Sequence, residues 1–205
     1  MSEVQAAKAR PDLIRWAMVV LALVGAAAVL YVIGAASFKP KQESSLRDLA
    51  RGGLEKLEVA AAPTPVPQVP FTDETGKTVT LGDFRGQVVV LNLWATWCAP
   101  CKVEMPTLAR LQAAYAVQPV RVIALSIDKD ADLQKVRDQL ALTPPLKLYR
   151  DKAIRMPFAL QPKAEGFPTT IIIDRRGRER ARLSGGADWS SPEARELVER
   201  LLHEG

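Results

Sequence analysis

The stretch Val88–Pro106, VVVLNLWATWCAPCKVEMP, decides how the whole chain is read. Val88 to Leu93 is apolar enough for a strand buried on both faces, as in a sheet covered by helices. Trp94 and Trp97 close that run, and Cys98 and Cys101, the only cysteines of the protein, follow at once. From Ala99 to Ala116 the pattern becomes helical, with Met105, Leu108, Leu111 and Tyr115 recurring on one face. Pro106 lies inside that helix and predicts a kink, because proline lacks a backbone donor and clashes with the preceding turn. Two thiols therefore stand where a buried strand gives way to a helix N-terminus.

That position has chemical consequences. The first sulfur of a Cys-X-X-Cys at a helix start faces unpaired N–H groups and the positive end of the helix dipole. Both favour thiolate over thiol, which makes Cys98 the expected attacking group. Cys101, one turn further in, is placed to attack a mixed disulfide at Cys98 and release the partner reduced. Three plainer readings compete. A structural disulfide across so short a loop constrains little of the unfolded chain. A zinc site needs about four ligands, and with only His203 besides the two cysteines it cannot be completed from Cys and His. Inert buried cysteines would not require this spacing. A lone CxxC is moderately specific.

A second constellation is Gly166-Phe167-Pro168-Thr169-Thr170, directly before the apolar run Thr169–Ile173. Proline there cannot donate to a sheet, and a cis bond would turn its backbone toward the cysteines. An ordinary trans proline leading a strand is the alternative.

Outward from these two stretches the elements follow in order. Val69 to Leu81 predicts a hairpin turning at Thr75-Gly76-Lys77, and LGDFRGQ leads into the central strand. Val120 to Ile127 is a second buried strand, and Leu133, Val136 and Leu140 mark a second amphipathic helix. Leu142 to Gln161 is irregular, broken at Thr143-Pro144-Pro145, with room for a short strand and a helical turn. Thr169–Ile173 turns at Arg176-Gly177 into a more polar strand, Arg178 to Leu183. A last helix starts at Ser191-Pro192, with Ala194, Leu197, Val198, Leu201 and Leu202 on one face. The order hairpin, β, α, β, α, β, β, α predicts an α/β fold: a central mixed sheet with helices on both faces.

The N-terminal part reads differently. Residues 16–36, Trp16 to Ala36, carry no charge, and their number matches the roughly 20 needed to cross a bilayer as helix. Trp16 and Tyr31 near the ends suit the headgroup region. A cleaved signal peptide is the rival, with Gly34-Ala35-Ala36 as its cleavage site, but an apolar core of about 7–15 residues is usual for signals. The expected organisation is a cytoplasmic tail at 1–15, a transmembrane anchor at 16–36, a tether at 37–65 and a globular domain at 66–205. The tether holds a possible short helix, Ser44 to Leu57, interrupted at Gly52-Gly53, then the proline-rich AAAPTPVPQVP. Lys8, Arg10 and Arg15 precede the span, whereas Lys39, Lys41, Arg47, Arg51 and Lys56 follow it. The charge count slightly opposes export, but long domains cross largely regardless of charge. A net charge of +5 with 25% charged residues suits a soluble domain, and no basic-aromatic pattern supports a nucleic-acid partner.

With both constellations read, WATWCAPCKVEMP and GFPTTIIID resemble the thioredoxin superfamily. The anchor, the tether, LGDFRGQVVVLNLWATWC and GADWSSPEA resemble its membrane-anchored periplasmic TlpA-type branch, relatives of the cytochrome c maturation thioredoxins. The resemblance runs from about Val66 to Leu202. It implies a thioredoxin-like fold and thiol–disulfide exchange, with Cys98 the nucleophile and Cys101 the resolving thiol. Pro168 would be a cis-proline presenting substrate backbone, flanked by Phe167 and Thr169. Trp94 and Trp97 would frame the site. It implies no cofactor beyond the redox-active pair, a membrane electron donor of the CcdA or DsbD kind, and periplasmic clients in cytochrome or cytochrome oxidase assembly. The expected place is the bacterial inner membrane, single-pass, with the domain in the periplasm.

Two departures from cytoplasmic thioredoxins stand out. Asn92 occupies the place of their buried aspartate. Glu104, three residues past Cys101, resembles a glutamate near the active site of cytochrome-maturation relatives; a solvated surface glutamate is the equal alternative. Trp97 is read as part docking platform and part packing, Trp189 as packing before the last helix, and His203 as exposed. Arg175, Arg176, Arg178, Arg180 and Arg182 form a basic edge, expected to guard an edge strand or to meet an acidic partner. Against the reductant, two other functions remain open: a disulfide oxidant or isomerase, and a non-catalytic Cu(I)-handling module using the cysteine pair.

Overall fold

The computed structural model describes residues 16–27 and 45–204. Residues 16–27 form a helix, α1, with exposed side chains. The remainder of the expected span 16–36 lies outside the described residues. Among the described residues no helix is long and apolar enough to cross a membrane.

From Ser45 on, the chain folds as one unit around an eight-stranded sheet ordered β1-β8-β7-β4-β5-β6-β2-β3. The strands are β1 (Glu58–Pro65), β2 (Phe71–Thr72), β3 (Thr78–Val79), β4 (Val88–Trp94), β5 (Val120–Ser126), β6 (Tyr149–Arg150), β7 (Thr169–Ile173) and β8 (Arg178–Ser184). The longer helices are α2 (Ala99–Ala114), α3 (Leu133–Ala141) and α5 (Pro192–His203), with a single-turn α4 (Met156–Ala159). β4 runs parallel to β5 and antiparallel to β7, so the sheet is mixed. The predicted hairpin forms as β2 and β3, with Gly76 at φ +84° in the turn. The region expected to be irregular yields β6 and α4.

Every residue of β4 is buried, and its side chains alternate between two cores. Val88, Val90 and Trp94 join residues of α2, α3 and α5, whereas Val89, Leu91 and Leu93 join Phe71, Tyr149, Met156 and Leu160. The three longer helices thus share one core. Successive crossovers β4–α2–β5 and β5–α3–β6 step in the same direction, and right-handed crossovers then stack their helices on the same face. The other core is closed by the short α4, the 3₁₀ turn Leu81–Phe84 and the aromatic group Phe71, Phe84 and Tyr149. α2 continues through Pro106. Gln112 on α2 satisfies the part of β5 that short β6 leaves uncovered, accepting from Val122 N at 2.7 Å.

The segment expected as a tether, 37–65, is built into the domain from Ser45 onward. Two 3₁₀ turns, Leu46–Leu49 and Gly52–Leu54, bury Leu46, Leu49 and Leu54 in the core that contains α5. The proline-rich run begins as β1, an edge strand antiparallel to β8. Pro63 and Pro65 are tolerated because an edge strand has one side without ladder bonds. The compact unit therefore begins some twenty residues before the expected 66.

β1 also changes the reading of the arginines. β8 is an inner strand, not an edge. Arg178 meets Asp174, Arg180 meets Glu204, and Arg182 is buried against Glu179 while donating to Pro162 O and Gln161 O. Arg175 donates to Gly86 O. The expected basic edge is largely an internal set of paired charges.

Candidate active site

β4 delivers the chain to the start of α2, and a tight turn at 95–98 joins them, closed by Cys98 N donating to Ala95 O at 3.1 Å. Cys98 is the N-cap of α2, its Sγ accepting from Cys101 N at 3.3 Å. The two sulfurs form a disulfide. Cys98 is 5% exposed and Cys101 is fully buried, the order expected of an attacking and a resolving group.

The turn is held from the side by a residue the sequence did not single out. Asp128, 2% exposed just beyond β5, accepts from Thr96 N at 3.0 Å, Thr96 Oγ1 at 2.7 Å and Ser126 Oγ at 2.9 Å. These donors compensate the burial of its carboxylate.

The second constellation reaches the first through the sheet. Leu93 pairs with Thr169, which sets Pro168 level with Trp94 at the end of β4. The Phe167–Pro168 bond is cis, and Pro168 O accepts from Gly185 N at 2.8 Å. Trp97 is 65% exposed and meets Phe167 edge-on, ring centroids 5.8 Å apart. Thr169 is fully buried, its hydroxyl donating to Gly166 O, so its side chain presents nothing at the surface. Trp94 is fully buried as well, in the core shared with Cys98 and Cys101.

Glu104 points inward. It is 2% exposed, because α2 turns this position toward β4. Asn92, on the same β4 face as Val90 and Trp94, donates Nδ2 to Glu104 Oε1 at 2.6 Å and to Thr170 Oγ1 at 2.9 Å. Glu104 Oε2 accepts from Ala187 N at 3.1 Å and Trp189 Nε1 at 3.3 Å. Burial pushes the Glu104 carboxyl up to about 7, against the pull of Asn92, Ala187 N and the Trp189 indole. A carboxyl so placed exchanges a proton near neutrality. Trp189 is buried as expected, but its polar contact was not foreseen. In the sequence the sole signal for it is the GADW run. A groove of about 650 Å³ opens beside this group, walled by Gly53, Lys56, Pro100, Val103, Glu104 and Asp188.

His203 is exposed near the chain end, as expected. Among the described residues no cluster of His, Cys, Asp and Glu is placed to hold a metal ion.

The geometry agrees with what the chain resembles. Residues 62–181 match the AhpC/TSA family. The thiol-disulfide oxidoreductase ResA of Geobacillus thermodenitrificans is 32% identical over 132 residues, 64% of this chain and 73% of that protein. A Chlorobium tepidum structure named for the thiol:disulfide interchange protein DsbE superposes with a TM-score of 0.59 at 27% identity, covering 68% of this chain and 96% of the other. The fold also matches that of a secreted thiol-disulfide isomerase from Corynebacterium glutamicum, with a TM-score of 0.59 at 23% identity, over 72% and 92% of the two chains.

Proposed function

This chain belongs to the AhpC/TSA family and is a thioredoxin-fold thiol–disulfide oxidoreductase of the TlpA/ResA type, and from that premise we propose that it is a membrane-anchored reductant of selected extracytoplasmic disulfides. The observation that carries this is the Cys98–Cys101 disulfide at the α2 N-terminus, with exposed Trp97 next to Cys98 in the chain and edge-on to Phe167, and Cys101 one turn from the buried Glu104.

In the reduced protein the N–H groups opening α2 stabilise the Cys98 thiolate, which attacks one sulfur of a client disulfide. The client's second sulfur leaves as thiolate, and a mixed disulfide remains at Cys98. Cys101 then passes its proton to the Glu104 carboxylate and attacks Cys98 Sγ. The Cys98–client bond breaks and the Cys98–Cys101 bond forms. Two electrons have moved to the client, whose thiolates take protons from water. An extended client segment lies along Phe167 and Pro168, with Trp97 as its apolar support.

The apolar run 16–36 supports an anchor, with the domain facing an oxidising compartment where disulfides persist. A membrane dithiol donor of the CcdA or DsbD kind would return electrons to the oxidised pair. Proteins of cytochrome or cytochrome oxidase assembly are the proposed clients.

The test is a Cys101→Ser variant of the full chain, which stalls mixed disulfides at Cys98. Covalent adducts with a small set of exported proteins are expected, and an adduct-free outcome would overturn exchange at this site. Direction follows from the reduction potential. A value near the about −270 mV of thioredoxin fits a reductant, whereas one near the about −120 mV of DsbA makes the protein an oxidant.

A further inference from the structure

We propose that Trp189 is a positioning residue for the resolving step, its indole N–H and the neighbouring Ala187 N–H holding the Glu104 carboxylate in the geometry and charge state that accept the Cys101 proton. This rests on the reading of Glu104 as that acceptor.

A buried carboxylate remains ionisable only when donors replace the water it has lost. Glu104 has three such donors, and two of them come from one place, the loop between β8 and α5. That loop has its own attachment. Thr107 Oγ1, about one helical turn past Glu104, donates to Glu104 O at 2.7 Å and accepts from Trp189 N at 3.0 Å. The indole is 1% exposed and packs in the core with α5, so its N–H is aimed by packing. Trp189 therefore does more than fill space: a phenyl ring would fill much of the same volume and supply no donor.

The groups around Glu104 make the titration readable. β4 and β7 contribute Asn92 and Thr170, both uncharged. α2 contributes Cys101, locked in the disulfide when oxidised, and Thr107. The charged residues that share the adjoining groove are Asp188 from the loop, and Glu55 and Lys56 from the segment before β1. None of these three is a donor to the Glu104 carboxylate.

The experiment uses the full chain carrying Trp189→Phe. In the oxidised protein, Glu104 is followed by carboxyl ¹³C NMR as pH is raised. The midpoint is expected to move upward by about one pH unit, the effect of losing one donor to a charged group. In protein carrying glutathione as a preformed mixed disulfide at Cys98, with the Cys101 thiol free, release of glutathione should slow at neutral pH and recover at higher pH. Adding Trp189→Phe to Glu104→Gln should cause no further shift of that profile. Benzothienylalanine at position 189, an isostere without the N–H, gives the same readout should phenylalanine compromise folding. An unmoved Glu104 midpoint in a folded variant overturns the role of Trp189. If instead Glu104→Gln leaves the release profile unchanged, the acceptor role of Glu104 fails, whatever the midpoint does.

Discussion

Asn92 Nδ2 lies 2.6 Å from Glu104 Oε1, so a strand amide grips a helix carboxyl inside the core. Burial raises that carboxyl from its ordinary 4.5 to about 7 in the folded, oxidised protein. Between those values the native state binds a proton that the unfolded chain has released. Stability from this group is thus fully present below about pH 4.5 and is lost as pH rises through about 7, in total about 3 kcal/mol. Urea unfolding of the oxidised protein across pH 4 to 8 should show this decline against Glu104→Gln, which does not titrate. Parallel curves for the two proteins would remove the basis for a neutral-range carboxyl.

Asp128 should matter for the turn that carries Trp97 and Cys98. Asp128→Ala leaves Thr96 N and Thr96 Oγ1 without their partner, at a cost of about 1–3 kcal/mol for each buried donor left unmet. The thermal midpoint should fall. In the protein that remains folded, reaction with protein disulfides should slow more than reaction with small disulfides. Loss of stability with no change in that ratio would make Asp128 purely structural.

Trp97 offers the exposed half of an aromatic pair with Phe167. Trp97→Ala should weaken capture of a peptide disulfide by on the order of 1 kcal/mol, from the apolar area the client no longer covers, while a small disulfide that needs no platform reacts at its former rate. Steady-state assays with the two substrates would separate a docking role, seen in KM, from a disturbed Cys98, seen in both.

The boundary of the folded unit can be tested by truncation. A chain beginning at Ser45 keeps Leu46, Leu49, Leu54 and Leu57, all at most 6% exposed, together with β1. A chain beginning at Val66 loses all of them, a removal of about 5 kcal/mol or more of apolar burial. That is comparable to the whole stability of a typical domain, about 5–15 kcal/mol. Melting should be cooperative for the first, and absent or strongly lowered for the second. Equal melting temperatures would restore 45–65 to the status of a tether.

Where sequence and structure agree, the signal was local. The burial of β4 on both faces, the α2 face carrying Met105, Leu108 and Leu111, the positive φ at Gly76 and the Ser191 cap of α5 follow from nearest-neighbour patterns. β1 escaped because Ala60 to Pro65 has no alternation of apolar residues; it is a strand because β8 offers an edge to pair with. Arg178, Arg180 and Arg182 read as an exposed row because the covering strand β1 and the distant Glu204 cannot be seen in their own stretch, although Asp174 and Glu179 lie within it.

In VVVLNLWATWCAPCKVEMP the sequence by itself determined a buried strand, a helix opening on Cys98, and two thiols one turn apart, because strand period, helix period and CxxC spacing are properties of neighbouring residues. Tertiary structure alone decided which way Glu104 faces, that Asn92, Ala187 and Trp189 converge on it, and that Asp128 holds Thr96. A polar side chain is satisfied by whatever donor the fold brings within about 3 Å, and those donors come from residues up to 85 positions away.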